Sequence, residues 1–142
     1  GGETFAVLFI DLDRFKPIND RFGHAVGDKV LALVAERMRS IAREVDAVAR
    51  MGGDEFAILQ YGVERASGAL HLGRRVLEGI AQPMDIESHQ LVVGASIGIA
   101  RYPAAGGDPD TLLRHADAAM YAAKAGGGNC VRTYEPGDGA PL

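Results

Sequence analysis

An uninterrupted apolar run at residues 5–10 (FAVLFI) constrains the fold more than any other feature of this sequence. Its apolar residues do not alternate with polar ones, and such a run is typical of a central strand that is covered on both faces. Asp11 ends the run, so the pattern predicts that this residue lies at the end of a strand. A sheet with packed layers on both sides is therefore expected.

Apolar residues at three- and four-residue spacings predict helices after this strand. A short helical segment is centred on Phe15 and Ile18, and the pattern pauses at Gly23 and Gly27. It resumes over residues 26–41, where it predicts a longer helix. Two helices, one short and one long, are therefore expected before the second strand.

Two short strand-like runs in the middle of the chain, Val45–Arg50 and Glu55–Tyr61, predict a β-hairpin. The turn between them contains Gly52 and Gly53, which supply the backbone freedom that such a turn needs, and its tip is acidic. The remaining pattern predicts a helix over Ala66–Ile80 that Pro83 stops, a strand over Gln90–Ala100, a helix over Thr111–Lys124 and a last strand over Cys130–Tyr134.

The resulting order of elements, β-α-α-β-β-α-β-α-β, predicts an α+β fold in which helices pack on a sheet. With 142 residues, of which 47% are hydrophobic, the chain has the size and apolar content of one compact domain. The sequence contains neither an internal repeat nor a linker between domains. One domain with one core is therefore expected.

The net charge of −4 argues against a general nucleic-acid or membrane-surface binder, because both need a basic face. Cys130 is the single cysteine, so no internal disulfide can form, which fits a reducing compartment. No apolar run approaches the length of a membrane span, and the start resembles no signal peptide. We expect a soluble, cytoplasmic domain that has been excised from a longer protein, because its first strand begins only a few residues into the chain.

Two acidic pairs are the main candidates for chemistry: Asp11 with Asp13, and Asp54 with Glu55. The chain has no Gly-x4-Gly-Lys-Ser/Thr phosphate loop, so another device must hold phosphates. Mg²⁺ is typically held by one or two carboxylates together with substrate phosphates, and two neighbouring strand ends can supply them. Acids at strand ends are more often merely solvated. The preceding Gly52–Gly53 pair favours a site, because glycine lets a backbone approach a phosphate.

Two further sets of polar residues have both a structural and a functional interpretation. Asn19 and Asp28 flank the predicted helix junction, where each alone is more often a helix cap. As a pair they could recognise guanine, because a carboxylate accepts hydrogen bonds from its N1 and N2 groups. Lys16 and Lys124 could bind phosphate, although isolated lysines are usually solvated.

Four segments of the chain resemble the GGDEF diguanylate cyclases. They are residues 11–28 (DLDRFKPINDRFGHAVGD), 50–56 (RMGGDEF), 96–100 (SIGIA) and 116–124 (ADAAMYAAK), and with the elements between them the resemblance covers residues 5–134. The resemblance implies a nucleotide-cyclase-like (ferredoxin-like) fold with a central, mostly antiparallel five-stranded sheet. It also implies a GGDEF domain over residues 1–135 and a frayed tail over residues 136–142.

The resemblance implies a reaction as well: two GTP molecules are condensed into cyclic di-GMP by a homodimer, with Mg²⁺ as the cofactor and Mn²⁺ as an alternative. It implies an upstream sensory domain, no nucleic-acid partner and no direct membrane contact by this domain. The implied site residues are Asp11, the Leu12 carbonyl, Asp54 and Glu55 for the metal, Asp54, Glu55 and Lys16 for catalysis, Asn19 and Asp28 for guanine, and Gly52, Gly53 and Lys124 for the triphosphate.

A second site is implied by Arg43 and Asp46. An Arg/Asp pair three residues apart is most often a surface ion pair of little energetic worth. Its position before Gly52 resembles the inhibitory Arg-x-x-Asp site of the family, where arginine pairs with phosphate and stacks on the guanine of bound product. Product inhibition is therefore expected. Arg74 or Arg75, on the next helix, is a candidate for a second cation there.

The chain departs from the family pattern in two places. Gly128 stands where a lysine or arginine is common, so a cation near the triphosphate is missing and the affinity for GTP is expected to suffer. The Asp-x-Leu-Thr segment that normally precedes the first strand is also absent. The alternative function is a catalytically silent domain that binds GTP or cyclic di-GMP and regulates an attached module. A degenerate hairpin motif would favour that alternative, and here the motif is intact.

Overall fold

The computed structural model describes residues 4–62 and 66–134. This part of the chain contains a five-stranded sheet, a separate two-stranded sheet and four helices. The strands are β1 (Phe5–Asp13), β2 (Ala47–Gly52), β3 (Glu55–Tyr61), β4 (Met84–Ile86), β5 (His89–Leu91), β6 (Gly94–Tyr102) and β7 (Cys130–Thr133), and the helices are α1 (Phe15–Phe22), α2 (His24–Ile41), α3 (Ala66–Ile80) and α4 (Pro109–Ala125).

The main sheet has the strand order β2-β3-β1-β6-β7, with β1 at its centre. β1 pairs antiparallel with both β3 and β6, β2 pairs antiparallel with β3, and β6 and β7 run parallel. The predicted α+β class and the mostly antiparallel five-stranded sheet are therefore confirmed. The apolar run at residues 5–10 forms the central strand, as its lack of alternation predicts.

Side chains of β1 enter two hydrophobic clusters, one on each face of the sheet. Leu8 and Ile10 belong to the larger cluster, which β1 shares with α1, α2, α3 and the β4–β5 hairpin. Val7 and Phe9 belong to the smaller cluster beneath α4, together with residues such as Met120. Burial on both faces explains why polar residues are absent from residues 5–10, because either orientation places a side chain in a core.

The first strand extends beyond its predicted end. β1 continues to Asp13, which pairs with Gly94 of β6, and Leu12 between the two aspartates is buried. Residues 11–13 alternate polar and apolar because only one face of the strand is covered at this end. The predicted pause at Gly27 is also wrong. The two helices separate at Gly23 (φ 92°), and Gly27 lies inside α2.

The predicted strand Gln90–Ala100 is two strands. β5 ends at Leu91 and β6 begins at Gly94, while β5 pairs with β4 in a hairpin that the sequence pattern did not predict. Strands of three residues are too short to show a periodic signal. The order of elements is therefore β-α-α-β-β-α-β-β-β-α-β.

Two expectations from the sequence concern the chain ends and the membrane. The predicted frayed tail, residues 136–142, lies outside the described residues. Across residues 4–62 and 66–134, none of the helices is both long enough and apolar enough to cross a membrane.

Candidate functional site

The two acidic pairs meet at one edge of the main sheet. Asp11 lies directly opposite Glu55 in the β1–β3 ladder, and the Leu12 amide donates a hydrogen bond to the Asp54 carbonyl over 3.1 Å. The β2–β3 turn is thus tied to the end of β1. This pairing brings together Asp11, Leu12, Asp54 and Glu55, the residues that the sequence proposes for a metal; we call them the acidic edge.

The β2–β3 turn needs glycine at positions 52 and 53 because of their backbone conformation. The space that side chains would fill at these positions is open. Gly53 has φ 51° and Gly52 has φ 148°, a range that side-chain-bearing residues rarely adopt. A Cβ atom at either position would meet no described protein atom within 4 Å. Arg50 supports the turn, since its Nε donates to the Gly53 carbonyl over 2.9 Å. A ligand can therefore approach this backbone without meeting a side chain.

Asp11 is partly buried and lies close to other carboxylates, which disfavours its charged form. The pKa of its carboxyl group is raised from 3.8 to about 6, chiefly by burial, then by the Asp54 carboxylate and less strongly by Glu55, whereas Lys124 lowers it. A carboxylate that is both desolvated and surrounded by negative charge is costly to ionise. A bound cation would relieve that cost, so the electrostatics of the acidic edge favour cation binding.

Lys124 reaches the acidic edge from the last turn of α4. Its Nζ atom lies 3.3 Å from Asp13 Oδ1, 3.6 Å from Asp11 Oδ1 and 3.5 Å from the Leu12 carbonyl oxygen. The ammonium group therefore contacts two of the groups that the sequence proposes as metal ligands. It is about one-third exposed, with a side-chain accessibility of 32%.

Asp13 has a different environment from Asp11. Its Oδ1 accepts a hydrogen bond from the buried Ser96 hydroxyl over 2.8 Å, and its Oδ2 accepts one from the backbone N–H of Asn129 over 2.6 Å. A Cβ atom on Gly128 would lie 2.8 Å from Asp13 Oδ2. Asp13 thus holds β6 and the loop before β7 against β1. The sequence pairs Asp13 with Asp11 as a candidate for chemistry. In the structure its carboxylate oxygens accept hydrogen bonds from neighbouring segments, so Asp13 positions those segments.

Asn19 contacts the backbone of α2 at Gly27, the residue next in sequence to Asp28. Asn19 is half-buried, whereas Asp28 is exposed. A Cβ atom on Gly27 would lie 1.7 Å from Asn19 Oδ1, so only glycine accommodates this arrangement. Sequence reasoning missed the role of Gly27, although a glycine inside an apolar helical pattern was the available signal.

Lys16 lies in the first turn of α1 and is exposed. This helix begins after Arg14, which has left-handed φ 57° and gives no side-chain cap. The first N–H groups of an uncapped helix carry partial positive charge and favour anions. Lys16 and the start of α1 thus closely follow the end of β1, which carries Asp11 and Leu12.

Arg43 and Asp46 lie at the other end of β2 from the glycine turn. Arg43 Nη2 lies 3.1 Å from Asp46 Oδ1 and also donates to the Tyr61 carbonyl, and the Arg43 amide donates to Asp46 Oδ2 over 2.9 Å. The Asp46 side chain is 1% exposed, whereas that of Arg43 is 55% exposed. Together with Arg39 and Val48 they line a cavity of about 270 Å³. Arg74 and Arg75 are exposed on α3.

The donor set of the acidic edge fits a hard divalent cation only in part. Carboxylate and carbonyl oxygens are the ligands that Mg²⁺ prefers. Among the described residues, however, no group of three or more His, Cys, Asp or Glu side chains is placed to hold a metal by itself. The fit is therefore to an ion held by Asp11, the Leu12 carbonyl and one acid of the turn, with the remaining positions filled by water or phosphate.

A further cleft, of about 490 Å³, lies between α1 and the β4–β5 hairpin. Arg21, Phe22 and His89 are among its lining residues, and the Phe22 and His89 rings lie 4.6 Å apart. None of the site residues proposed from the sequence lines this cleft. The acidic edge, the Asn19–Asp28 pair and Lys124 therefore remain the candidate site.

Comparisons with known proteins agree with these motifs. A family model described as "Diguanylate cyclase, GGDEF domain" matches residues 1–130. The chain is 49% identical over 131 residues to MucR of Pseudomonas aeruginosa, a bifunctional diguanylate cyclase/cyclic di-GMP phosphodiesterase, and the match covers 92% of this chain and 19% of MucR.

Solved structures are similar along nearly the whole chain. The crystal structure of the GGDEF domain of TpbB (YfiN) from Pseudomonas aeruginosa has a TM-score of 0.91 at 44% identity, and the match covers 94% of this chain and 83% of that one. The GGDEF domain of DgcB from Caulobacter crescentus, solved in complex with c-di-GMP, has a TM-score of 0.87 at 31% identity, with 94% and 80% covered.

The matches cover nearly all of this chain but only part of the longer relatives. The chain spans about a fifth of the length of MucR (19%), so the similarity to that protein concerns one part of it. The family model, by contrast, covers all but the last residues of this chain, and the fold matches solved members of the same family. The chain therefore belongs to the GGDEF domain family of diguanylate cyclases.

Proposed function

We propose that this domain is one half of a diguanylate cyclase: each copy binds one GTP with Mg²⁺, and two copies join the two nucleotides into cyclic di-GMP with release of two pyrophosphates. The observation that carries the proposal is the acidic edge. Asp11 and the turn that contains Asp54 are held together by the Asp11–Glu55 register and the Leu12–Asp54 hydrogen bond.

The nucleotide would lie across the start of α1. Asn19 of α1 contacts the backbone of Gly27 in α2, next in sequence to Asp28, so an amide and a carboxylate at this junction would pair with the guanine edge. The triphosphate would face the open backbone of Gly52 and Gly53, with the uncapped start of α1 nearby. Lys124 would provide positive charge from α4.

In the proposed reaction the 3′-hydroxyl of one GTP attacks the α-phosphorus of the other. A new O–P bond forms, the bond to pyrophosphate breaks, and a second such step closes the ring. Mg²⁺, or Mn²⁺ in its place, would polarise the phosphoryl group and lower the pKa of the attacking hydroxyl. Asp11, the Leu12 carbonyl and Asp54 would hold the ion, Glu55 would assist there, and Lys16 would stabilise the charge that develops on the phosphates.

Because one domain holds one GTP in this proposal, catalysis needs a homodimer that faces two sites toward each other. A signalling role follows, with an upstream sensory domain controlling dimerisation in a bacterial cytoplasm. We propose that this domain neither binds nucleic acid nor contacts the membrane directly. The net charge of −4 supports the absence of a general polyanion-binding face.

The Arg43–Asp46 cavity is the proposed product-binding site. Its exposed guanidinium is oriented by a buried carboxylate, and arginine suits both phosphate pairing and stacking on guanine. DgcB, whose GGDEF domain was solved in complex with c-di-GMP, supports binding of that ligand by this type of domain. Binding of product at this cavity would inhibit the cyclase by feedback.

The test is product analysis of the purified domain at high concentration with GTP and Mg²⁺, resolved by chromatography. Wild type is compared with Asp54→Ala and Arg43→Ala. The proposal expects cyclic di-GMP from wild type, none from Asp54→Ala, and further accumulation with Arg43→Ala. If even a forced dimer forms no product while labelled GTP or cyclic di-GMP still binds, the domain is a nucleotide receptor and the cyclase proposal is wrong.

A further inference from the structure

The contacts of Lys124 have a consequence for metal binding. Its ammonium group lies within 3.6 Å of Asp11 Oδ1 and 3.5 Å of the Leu12 carbonyl oxygen. These are the two oxygen atoms of β1 that the proposed function assigns to Mg²⁺. A third contact, 3.3 Å to Asp13 Oδ1, holds the same ammonium group at the side of the site. Lys124 and a metal ion would thus use the same ligands.

Two cations cannot share these oxygens without strong repulsion. The side chains of Asp11 and Asp13 are only 15% and 17% exposed, so water screens the charges here less than at an open surface. A lysine side chain, however, has a flexible four-carbon stem. Since that of Lys124 is one-third exposed, it can move outward while its backbone stays in α4.

We propose that Lys124 is a tethered counter-ion of the acidic edge: a divalent cation binds there only by displacing the ammonium group, which then transfers to the phosphates of the incoming nucleotide. The second half of this statement rests on the proposed function, because it needs a nucleotide at the site. The first half concerns the chain and the metal alone. Lys124 would therefore weaken binding of free metal and strengthen binding of the metal–nucleotide complex.

This pair of opposite effects separates the proposal from simpler roles of Lys124. A lysine that only binds phosphate would leave the affinity for free metal unchanged. A lysine that only stabilises the fold would weaken both kinds of binding when it is removed. Competition for the same oxygens predicts tighter metal binding and weaker nucleotide binding in the same variant.

Lys16 provides the matched control. It follows the acidic residues of β1 closely in sequence, but it is exposed in the first turn of α1 and has no described contact with Asp11, Leu12 or Asp13. Lys16→Met therefore removes one positive charge from the neighbourhood without freeing a ligand oxygen. Any general electrostatic effect of charge removal appears in both variants, whereas competition appears only with Lys124→Met.

The experiment measures binding of Mn²⁺ alone by electron paramagnetic resonance at pH 8, without nucleotide, for wild type, Lys124→Met and Lys16→Met. Wild type has to break the Lys124 ion pair at this partly buried site before it binds Mn²⁺, whereas Lys124→Met has no such pair to break. The variant is therefore expected to bind Mn²⁺ roughly tenfold more tightly than wild type. Lys16→Met should stay within about twofold. Equal affinities in all three proteins, or equal gains in both variants, would overturn the proposal.

A measurement on the wild-type protein decides the question even if Lys124→Met folds poorly. Reductive methylation of lysines, read by mass spectrometry, is expected to modify Lys124 several-fold faster when saturating Mn²⁺ is present, while Lys16 and Lys29 are unaffected. Unchanged reactivity of Lys124 would contradict displacement. Neither readout requires turnover, so a domain that makes no cyclic di-GMP can still satisfy this inference, and an active cyclase can still fail it.

Discussion

Asn19 folds over the backbone of α2 at Gly27, and this contact illustrates what single residues contribute to the site. The missing side chain of Gly27 admits Asn19 Oδ1 to a point 1.7 Å from where a Cβ atom would lie. The sequence pattern identified Asn19 and Asp28 as a candidate pair, because both are polar residues at a predicted helix junction. A glycine inside an apolar helical pattern was a signal for Gly27, but which side chain fills the space beside it depends on how α1 packs against α2.

Gly27→Ala tests this contact. The added methyl group has to push the Asn19 side chain aside, so the affinity for GTP is expected to fall roughly tenfold. The fold should survive, since alanine is favoured over glycine in a helix by up to about 1 kcal/mol. Isothermal titration with GTP measures the change, and titration with cyclic di-GMP, for which we propose the separate Arg43–Asp46 cavity, is the control. An unchanged affinity for GTP would show that Asn19 does not read the nucleotide.

Asp11 gives a second prediction at this scale, on stability. Its pKa in the folded protein, about 6, lies above the ordinary value of 3.8, so ionisation costs stability as pH rises between these values. With EDTA present, Asp11→Asn should therefore raise the free energy of unfolding by about 1–2 kcal/mol at pH 8. The gain should vanish below pH 3.8, where the carboxyl is neutral in both states.

Urea denaturation of wild type and Asp11→Asn across this pH range measures the effect. Asp108→Asn serves as a comparison, because the cap of α4 formed by Asp108 and Thr111 lies outside the acidic edge. Hydrogen bonds from Thr111 lower the pKa of Asp108, which is the opposite direction. A loss of stability in Asp11→Asn at pH 8 would contradict the crowded environment described for Asp11.

At the scale of helices and strands, the backbone of α4 lies directly on β6 at Gly98. A Cβ atom at Gly98 would lie 2.1 Å from the Ala116 carbonyl oxygen and 2.2 Å from the Met120 amide nitrogen. Backbone atoms cannot rotate away as a flexible side chain can, so the separation of helix and strand depends on this glycine. Since α4 also carries Lys124, the close packing at Gly98 helps to set the distance between the Lys124 ammonium group and β1.

Gly98→Ala is expected to destabilise the domain by about 3 kcal/mol or more, because the whole helix has to shift. Gly107→Ala is the matched control: a Cβ atom there meets no described atom within 4 Å, and its effect should stay within about 0.5 kcal/mol. Urea denaturation followed by circular dichroism measures both. Equal stabilities of the two variants would show that α4 does not pack as described.

Arg37 of α2 holds the end of α3. Its guanidinium donates to four carbonyl groups there, with the closest contacts 2.7 Å to Gln82 and 2.9 Å to Pro83. The last carbonyls of a helix lack partners within the helix, so this contact replaces hydrogen bonds to water. Arg37→Met should lower the free energy of unfolding by about 1–2 kcal/mol.

The exposed Arg75→Met is the control for Arg37→Met, since it removes the same charge from the surface of α3 itself. Thermal unfolding monitored by circular dichroism compares the two variants with wild type. A shift as large for Arg75→Met as for Arg37→Met would indicate a general charge effect and would contradict specific capping of α3.

The four helices and the five strands of the main sheet were predictable from the sequence, even the four-residue β7, whereas the β4–β5 hairpin, with strands of three residues each, was not. The periodic apolar pattern located α2, α3 and α4 and the strands of the central hairpin. The β4–β5 hairpin was missed because its turn uses Glu87 (φ 48°) and Ser88 (φ 69°), whereas such turns are normally marked by glycine or asparagine. The mostly antiparallel five-stranded sheet was implied by the family resemblance and not by any local pattern, and the order of strands within the sheet was not predicted.

For the whole molecule, the sheet assembles residues that are far apart in the chain. Asp13 contacts Ser96, 83 positions away, and Asn129, 116 positions away. Local sequence patterns carry no information about such contacts, so the sequence alone could not separate the role of Asp13 from that of Asp11. The residues alone did identify Asp11, Asp54 and Glu55 as candidates, because β1 and the β2–β3 turn each form a short continuous segment, whereas the Leu12 carbonyl was implied only by the family resemblance.

The same sheet separates two proposed functions. β2 begins near the Arg43–Asp46 cavity and ends at Gly52, beside the acidic edge. Substrate and product would thus bind at opposite ends of one strand. A single domain presents one acidic edge, so the account requires that two copies meet for the reaction to occur.

We propose that two such domains, each with one acidic edge, convert GTP into cyclic di-GMP. The most direct measurement is product analysis on domains joined by a dimerising fusion, with Mg²⁺ and GTP, comparing wild type with Asp11→Asn in both copies. Wild type is expected to form one cyclic di-GMP and two pyrophosphates for every two GTP consumed, and Asp11→Asn is expected to form no product. A forced wild-type dimer that binds GTP but leaves it unchanged would show that the domain is not a cyclase.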